Sequence, residues 1–141
     1  MRNEKGLSLI ELLATMVILA IVASIAIYSI GNVIDNTRGR ALKAEAVNFF
    51  QAARIHITEN SPSTFNNTQL TLQNLKDSEH FATEAGLTSA TITIDANGNQ
   101  TLEAEGQKGR ITLEVKEGTT YEMLLQHDGK PNEDGEVIIG P

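Results

Sequence analysis

The chain has 141 residues, 11 Lys and Arg against 18 Asp and Glu, a formal net charge of -7 and no cysteine. Without cysteine there is no disulfide staple, no thiol chemistry and no Cys-based metal site, and the length leaves room for one modest domain beside any membrane segment. From Glu45 onward 6 basic and 15 acidic residues give -9, which makes this part a poor candidate for phosphate-backbone binding, a task that needs Lys and Arg clusters.

In chain order, a short head with Arg2 and Lys5 leads into Gly6-Leu7-Ser8-Leu9-Ile10-Glu11 and then into an almost purely apolar run to Ile30. Leu7 to Ile30 as a helix would be roughly 36 Å long, enough for a hydrocarbon core of about 30 Å. Thr15, Ser24, Tyr28 and Ser29 are the polar-tipped residues after Glu11, and hydroxyls of this kind find partners within a helix. A cleavable secretory signal wants an apolar core of about 7–15 residues followed by a small-x-small site, and this run is too long for it. Arg2 and Lys5 favour a cytoplasmic amino end, whereas Arg38, Arg40 and Lys43, just past the run, oppose that orientation. Glu11 is the informative residue. A carboxylate costs about 2.5–3.5 kcal/mol at a membrane centre, so one kept in such a segment has a partner or a job. A generic single-pass anchor explains the length and the apolarity but neither Glu11 nor the placement of Gly6.

Gly6 to Glu11 resembles the class III signal of type IV pilins and of pseudopilins of type II secretion and competence machines. That pattern is a short charged leader ending in glycine, an apolar first mature residue, a nearby Ser or Thr, and Glu at the fifth mature position. The match, which covers about the first 30 residues, makes Leu7 the first mature residue and Glu11 the fifth. The resemblance implies cleavage between Gly6 and Leu7 by a prepilin peptidase, methylation of the Leu7 amine, and residence in the bacterial cytoplasmic membrane with the amino end cytoplasmic. It further implies extraction by an assembly ATPase and a platform membrane protein into an extracellular or periplasmic filament, a helical homopolymer that also takes other pilins. Glu11 would pair there with the Leu7 amine of a neighbouring copy. Many relatives carry Pro where Tyr28 stands here, and many Gram-negative pilins close a carboxy-terminal loop with a disulfide. The lack of cysteine leans toward a pseudopilin or a Gram-positive pilin.

Beyond the span the helix is expected to continue to about Glu59. Leu42, Ala46, Phe49, Ala53 and Ile57 form a one-sided apolar stripe at spacings suited to a buried helix face. Gly31 and Gly39 read as places where bending is cheap, and Asn60-Ser61-Pro62 ends the helix. Ser61 to Leu87 is polar and irregular, with one short helix around Leu70 to Ser78. The period then changes to two: Ala90 to Asp95, Gln100 to Glu105, Arg110 to Lys116 and Tyr121 to Gln126 read as strands. Asn97-Gly98, Gly106 to Gly109 and Glu117-Gly118 serve as connectors, and Glu136 to Ile139 as a last short strand or a tail. Short connectors imply antiparallel neighbours. The expected fold is therefore α+β and, by resemblance, type IV pilin-like: a long amino-terminal helix packed on an antiparallel sheet of three to four strands. The expected parts are a leader 1–6, a membrane and filament-core half-helix 7–30, an amphipathic half-helix 31–59 and a head 60–141.

Chemistry is sparse outside the amino end. Asp95-x-Asn97-x-Asn99 begins like a calcium loop, but Gln100 stands where a turn glycine is needed and Gly106 where a bidentate Glu is needed, so a hairpin turn explains it better. The oxygen-rich loop with Asp128, Asn132, Asp134 and Glu136 is a weak calcium candidate, since major pseudopilins carry a calcium site in a carboxy-terminal loop; a solvated acidic loop is the default. His56, His80 and His127 show no ligand spacing. No P-loop, nucleophile elbow or HExxH motif is present. The expectation is a structural subunit, not an enzyme, with no nucleic acid bound by the acidic head. A membrane-anchored binding module that never polymerises is the alternative of a different class.

Overall fold

Leu42, Ala46, Phe49, Ala53 and Ile57 are all buried, so the stripe marks the face by which a helix is held. Burying side chains as large as Phe49 and Leu42 stabilises by about 1.5–3 kcal/mol each. That packing, more than helix propensity, fixes this stretch. A computed structural model describes residues 8–60, 67–82 and 86–141. Helix α1 spans Leu9–Glu59; Asn60 is its turn residue, while Ser61 and Pro62 lie outside the described residues. The chain divides into two units between Ile34 and Asp35.

In the first unit, every described residue up to Ile34 is exposed except Gly31, which is half-buried. Thr15 and Ser24 donate their hydroxyls to the carbonyls of Leu12 and Ala20, both at 2.8 Å. This stretch belongs to a helix long and apolar enough to cross a membrane.

The second unit contains the rest of α1, β1 (Thr68–Thr71), α2 (Leu72–Asp77), β2 (Leu87–Ile94), β3 (Gln100–Lys108), β4 (Ile111–Thr119), α3 (Tyr121–Gln126) and β5 (Glu136–Ile139). The sheet order is β1-β2-β3-β4-β5. Period-two patterning does what it should: Ile92, Ile94, Leu102, Ala104, Ile111, Leu113, Val115, Val137 and Ile139 are buried in one core with the α1 stripe. The fold is thus α+β, a long helix packed on a mostly antiparallel sheet.

Several expectations are corrected. The sheet has five strands, because the polar segment Thr68–Thr71 pairs antiparallel with β2 from Thr68↔Ile94 to Thr71↔Thr91. The expected helix around Leu70 starts at Leu72, because Thr71 caps it: the Thr71 hydroxyl accepts the Asn74 N–H and the Asn74 side chain accepts the Thr71 N–H. Tyr121–Gln126 is a helix, not a strand, with Thr120 as its cap and Leu124 buried. That helix carries the chain across, so β5 pairs parallel to β4, as a crossover allows and a tight turn does not. Gly106 lies inside β3, and the turn falls at Gly109-Arg110. Glu117-Gly118 lies inside β4, next to a register shift between Leu102↔Thr119 and Ala104↔Val115. Gly39 is not a soft spot. A Cβ there would sit 2.5 Å from the Gly129 carbonyl oxygen, so this glycine admits a backbone.

Candidate functional site at the amino end

Gly6 and Leu7 lie outside the described residues; Glu11 does not. Helix α1 begins at Leu9 with Ser8 just before it, and the Leu12 N–H donates to the Ser8 carbonyl at 3.1 Å. The Ser8 N–H donates to Glu11 Oε2 at 2.9 Å, and the Glu11 N–H donates to Ser8 Oγ at 3.3 Å. This reciprocal pair is a capping box, S-x-x-E. Sequence reasoning passed over Ser8 as a partner of Glu11, although the spacing alone is the signal for it. The carboxylate therefore has an intrachain donor and lies at the positive end of the helix dipole. Around it, Leu9, Ile10, Leu12 and Leu13 are all more than half exposed, an apolar surface of the kind that lipid or packed helices cover.

Ionic contacts within the unit Asp35–Pro141 include one at each end of its part of α1. Asp35, 7% exposed, accepts from Arg110 Nε at 2.9 Å and also from the terminal guanidinium nitrogen; Arg38 lies 3.5 Å away. Arg110's hydrogen bond, aided by the charges of Arg110 and Arg38, holds the Asp35 carboxyl below the usual carboxylate range against the opposing effect of burial. At the far end of α1, His80 Nε2 is 2.7 Å from Glu59 Oε2, and its ring meets that of His56 edge-on at 4.9 Å. His56 and Glu59 lie one turn apart on α1, and His80, 21 positions beyond Glu59, is brought to them by the fold.

The two loops considered for calcium are organised by their own backbone. Asp95 Oδ1 accepts the N–H groups of Asn97 and Asn99, both at 2.8 Å. Asn132 Oδ1 accepts those of Asp134 and Glu136, and Asp128 is engaged by the Lys130 N–H and ammonium. Among the described residues no group of three or more His, Asp or Glu is arranged to hold a metal ion.

An apolar, uncovered helical stretch entered through a Ser-Glu cap, and a helix packed on a small sheet, are consistent with a pilin-like α+β fold. Residues 1–27 match the prokaryotic N-terminal methylation motif, the class III signal of type IV pilins and pseudopilins. The chain thus carries the signal of a prepilin-type substrate. No curated protein and no solved structure matches it.

Proposed function

We propose that the chain is a structural subunit of a type IV pilus-like filament, made as a membrane-anchored prepilin, cut after Gly6 and polymerised through its amino-terminal helix. The methylation motif at residues 1–27, followed by an uncovered apolar helix, carries this reading. Polymerisation gives that apolar surface a protein environment once it leaves lipid. It also gives Glu11 a cationic partner in the Leu7 amine of a neighbouring copy. An ion pair in low dielectric recovers much of the cost of burying each charge and fixes the axial register. The assembly ATPase and platform protein that extract such subunits are the partners this route requires. A second reading is a pseudopilin of a secretion or competence machine, which the absence of cysteine fits as well as it fits a Gram-positive pilin.

Mass spectrometry of the mature product and the yield of sheared filaments test the proposal. A product starting at a methylated Leu7, found in filaments, is expected. Replacing Gly6 by a bulky residue should leave an unprocessed precursor. An intact start methionine, or a cut after the apolar stretch, would sink the reading.

A further inference from the structure

Helix α2 ends in a Schellman turn: the His80 N–H donates to the Leu75 carbonyl and the Glu79 N–H to the Lys76 carbonyl, both at 3.1 Å. The left-handed residue of that turn is Glu79, at φ 59°, a place glycine ordinarily fills because a Cβ is crowded there. Such a residue persists where contacts beyond it hold the backbone. Two such contacts run to α1. Phe81 meets Phe49 edge-on at 5.4 Å, and His80 Nε2 lies 2.7 Å from Glu59 Oε2. The other ring nitrogen, Nδ1, lies 2.7 Å from the Ser78 carbonyl oxygen. An ionised carboxylate and a carbonyl can only accept, so both nitrogens are engaged only when both carry a proton. The charged and titratable groups nearby are His56 and Glu59 on α1, with Lys76, Asp77 and Glu79 on α2 and its turn. Among the described residues Glu59 is the one in ion-pair range of His80.

We propose that residues 78–81 form a pH-operated strap: the charged His80 side chain fastens it to the carboxy-terminal end of α1, and loss of one ring proton to solvent releases it together with Phe81. A neutral ring turns a lone pair toward one of its two oxygens, and the strained turn at Glu79 then loses one of the contacts that hold it. The Glu59 hydrogen bond, aided by the Ser78 carbonyl and opposed by burial, raises the His80 pKa. Fastening is therefore complete below the ordinary value of 6.5 and weakens as pH rises through the raised one. Opening uncovers Phe49, which is fully buried in the closed head. The strap belongs to the head alone and stands whether or not the chain polymerises.

The test uses the full chain, isotope-labelled in detergent micelles, with amide hydrogen exchange followed by NMR at about pH 5 and about pH 8, the limits of ordinary histidine titration. Each rate is divided by that of an unstructured peptide at the same pH, which leaves the protection due to structure. Protection of the His80 amide should fall from the lower pH to the higher. The fall should be roughly tenfold for each pH unit by which the His80 midpoint, titrated in the same sample, exceeds 6.5. Core amides such as that of Ile92 should keep their protection at both values. His80→Gln, which cannot titrate, should abolish the fall, and His56→Gln should retain it. Equal His80 protection at the two pH values would overturn the strap. So would a fall that survives His80→Gln, one that vanishes in His56→Gln, or one that the Ile92 amide shares in full, since the last is loosening of the whole head.

Discussion

Arg110, in the turn between β3 and β4, donates from Nε to Oδ2 of Asp35 on α1 at 2.9 Å, joining residues 75 positions apart. Asp35 is the first residue of the head unit, so the contact ties the start of its helical part to the sheet. The folded pKa of Asp35 is lowered, chiefly by the Arg110 hydrogen bond. A lowered carboxylate contributes stability that is fully present above its unfolded value near 3.8 and is lost as pH falls through the folded value. Asp35→Asn should melt below wild type at neutral pH, and the gap should close below about pH 4. Melting curves across pH check this; parallel acid limbs for the two proteins would contradict it.

His80 provides the opposite case. Its Nδ1 lies 2.7 Å from the Ser78 carbonyl oxygen and its Nε2 lies 2.7 Å from Glu59 Oε2. Both neighbours are acceptors, so only the doubly protonated ring satisfies both; a neutral ring leaves one lone pair against an oxygen. Glu59's hydrogen bond accordingly raises the His80 pKa, assisted by Ser78. The contribution is fully present below the ordinary value of 6.5 and is lost as pH rises through the raised one. An NMR titration should place the His80 midpoint above 6.5, and Glu59→Gln should lower it. An unchanged midpoint in Glu59→Gln would remove Glu59 as the cause.

How much of this was legible depended on the range of the signal. The amino end was readable because Gly6, Ser8 and Glu11 stand at fixed offsets before a membrane-length apolar run. The stripe from Leu42 to Ile57 and the alternation at Ile92/Ile94 and Ile111/Leu113/Val115 were readable because each repeats over several periods. Tyr121–Gln126 spans six residues, too few to separate a period of two from 3.6, and its cap Thr120 was the better clue. β1 is polar and four residues long, so no apolar pattern announced it. Asp35–Arg110 and Glu59–His80 join distant positions, and charge alone does not choose between them and the other acidic residues. Gly39 read as a hinge because its packing partner Gly129 lies 90 positions away.

The sheet contains a like-charge pair in direct register. Glu105 on β3 is opposite Glu114 on β4, and both are exposed. Like charges directly opposite are destabilising, and an opposite-charge pair contributes roughly 0.2–1 kcal/mol. Glu114→Lys should therefore stabilise the full chain in detergent by about 0.2–1 kcal/mol at low salt, and the gain should shrink in 1 M salt, where the Debye length falls to about 3 Å. Urea unfolding at both salt concentrations measures it. A gain that ignores salt would point to strand propensity instead of charge.

Gly31 and Gly39 lie in the same helix and should respond oppositely to alanine. Alanine in a helix interior is favoured over glycine by about 0.8–1.0 kcal/mol, which is the whole expectation at Gly31, where a Cβ meets nothing within 4 Å. At Gly39 the new methyl would lie 2.5 Å from the Gly129 carbonyl oxygen, 3.0 Å from Val137 and 3.1 Å from Pro131. The oxygen is backbone and cannot swing aside as a side chain does. Overpacking of a filled site costs typically about 1–3 kcal/mol, which outweighs the helix gain. Gly31→Ala should leave the melting temperature of the head unchanged or raise it, and Gly39→Ala should lower it. Matching increases in the two variants would show that the 127–135 loop yields to the methyl and that Gly39 is not a packing requirement.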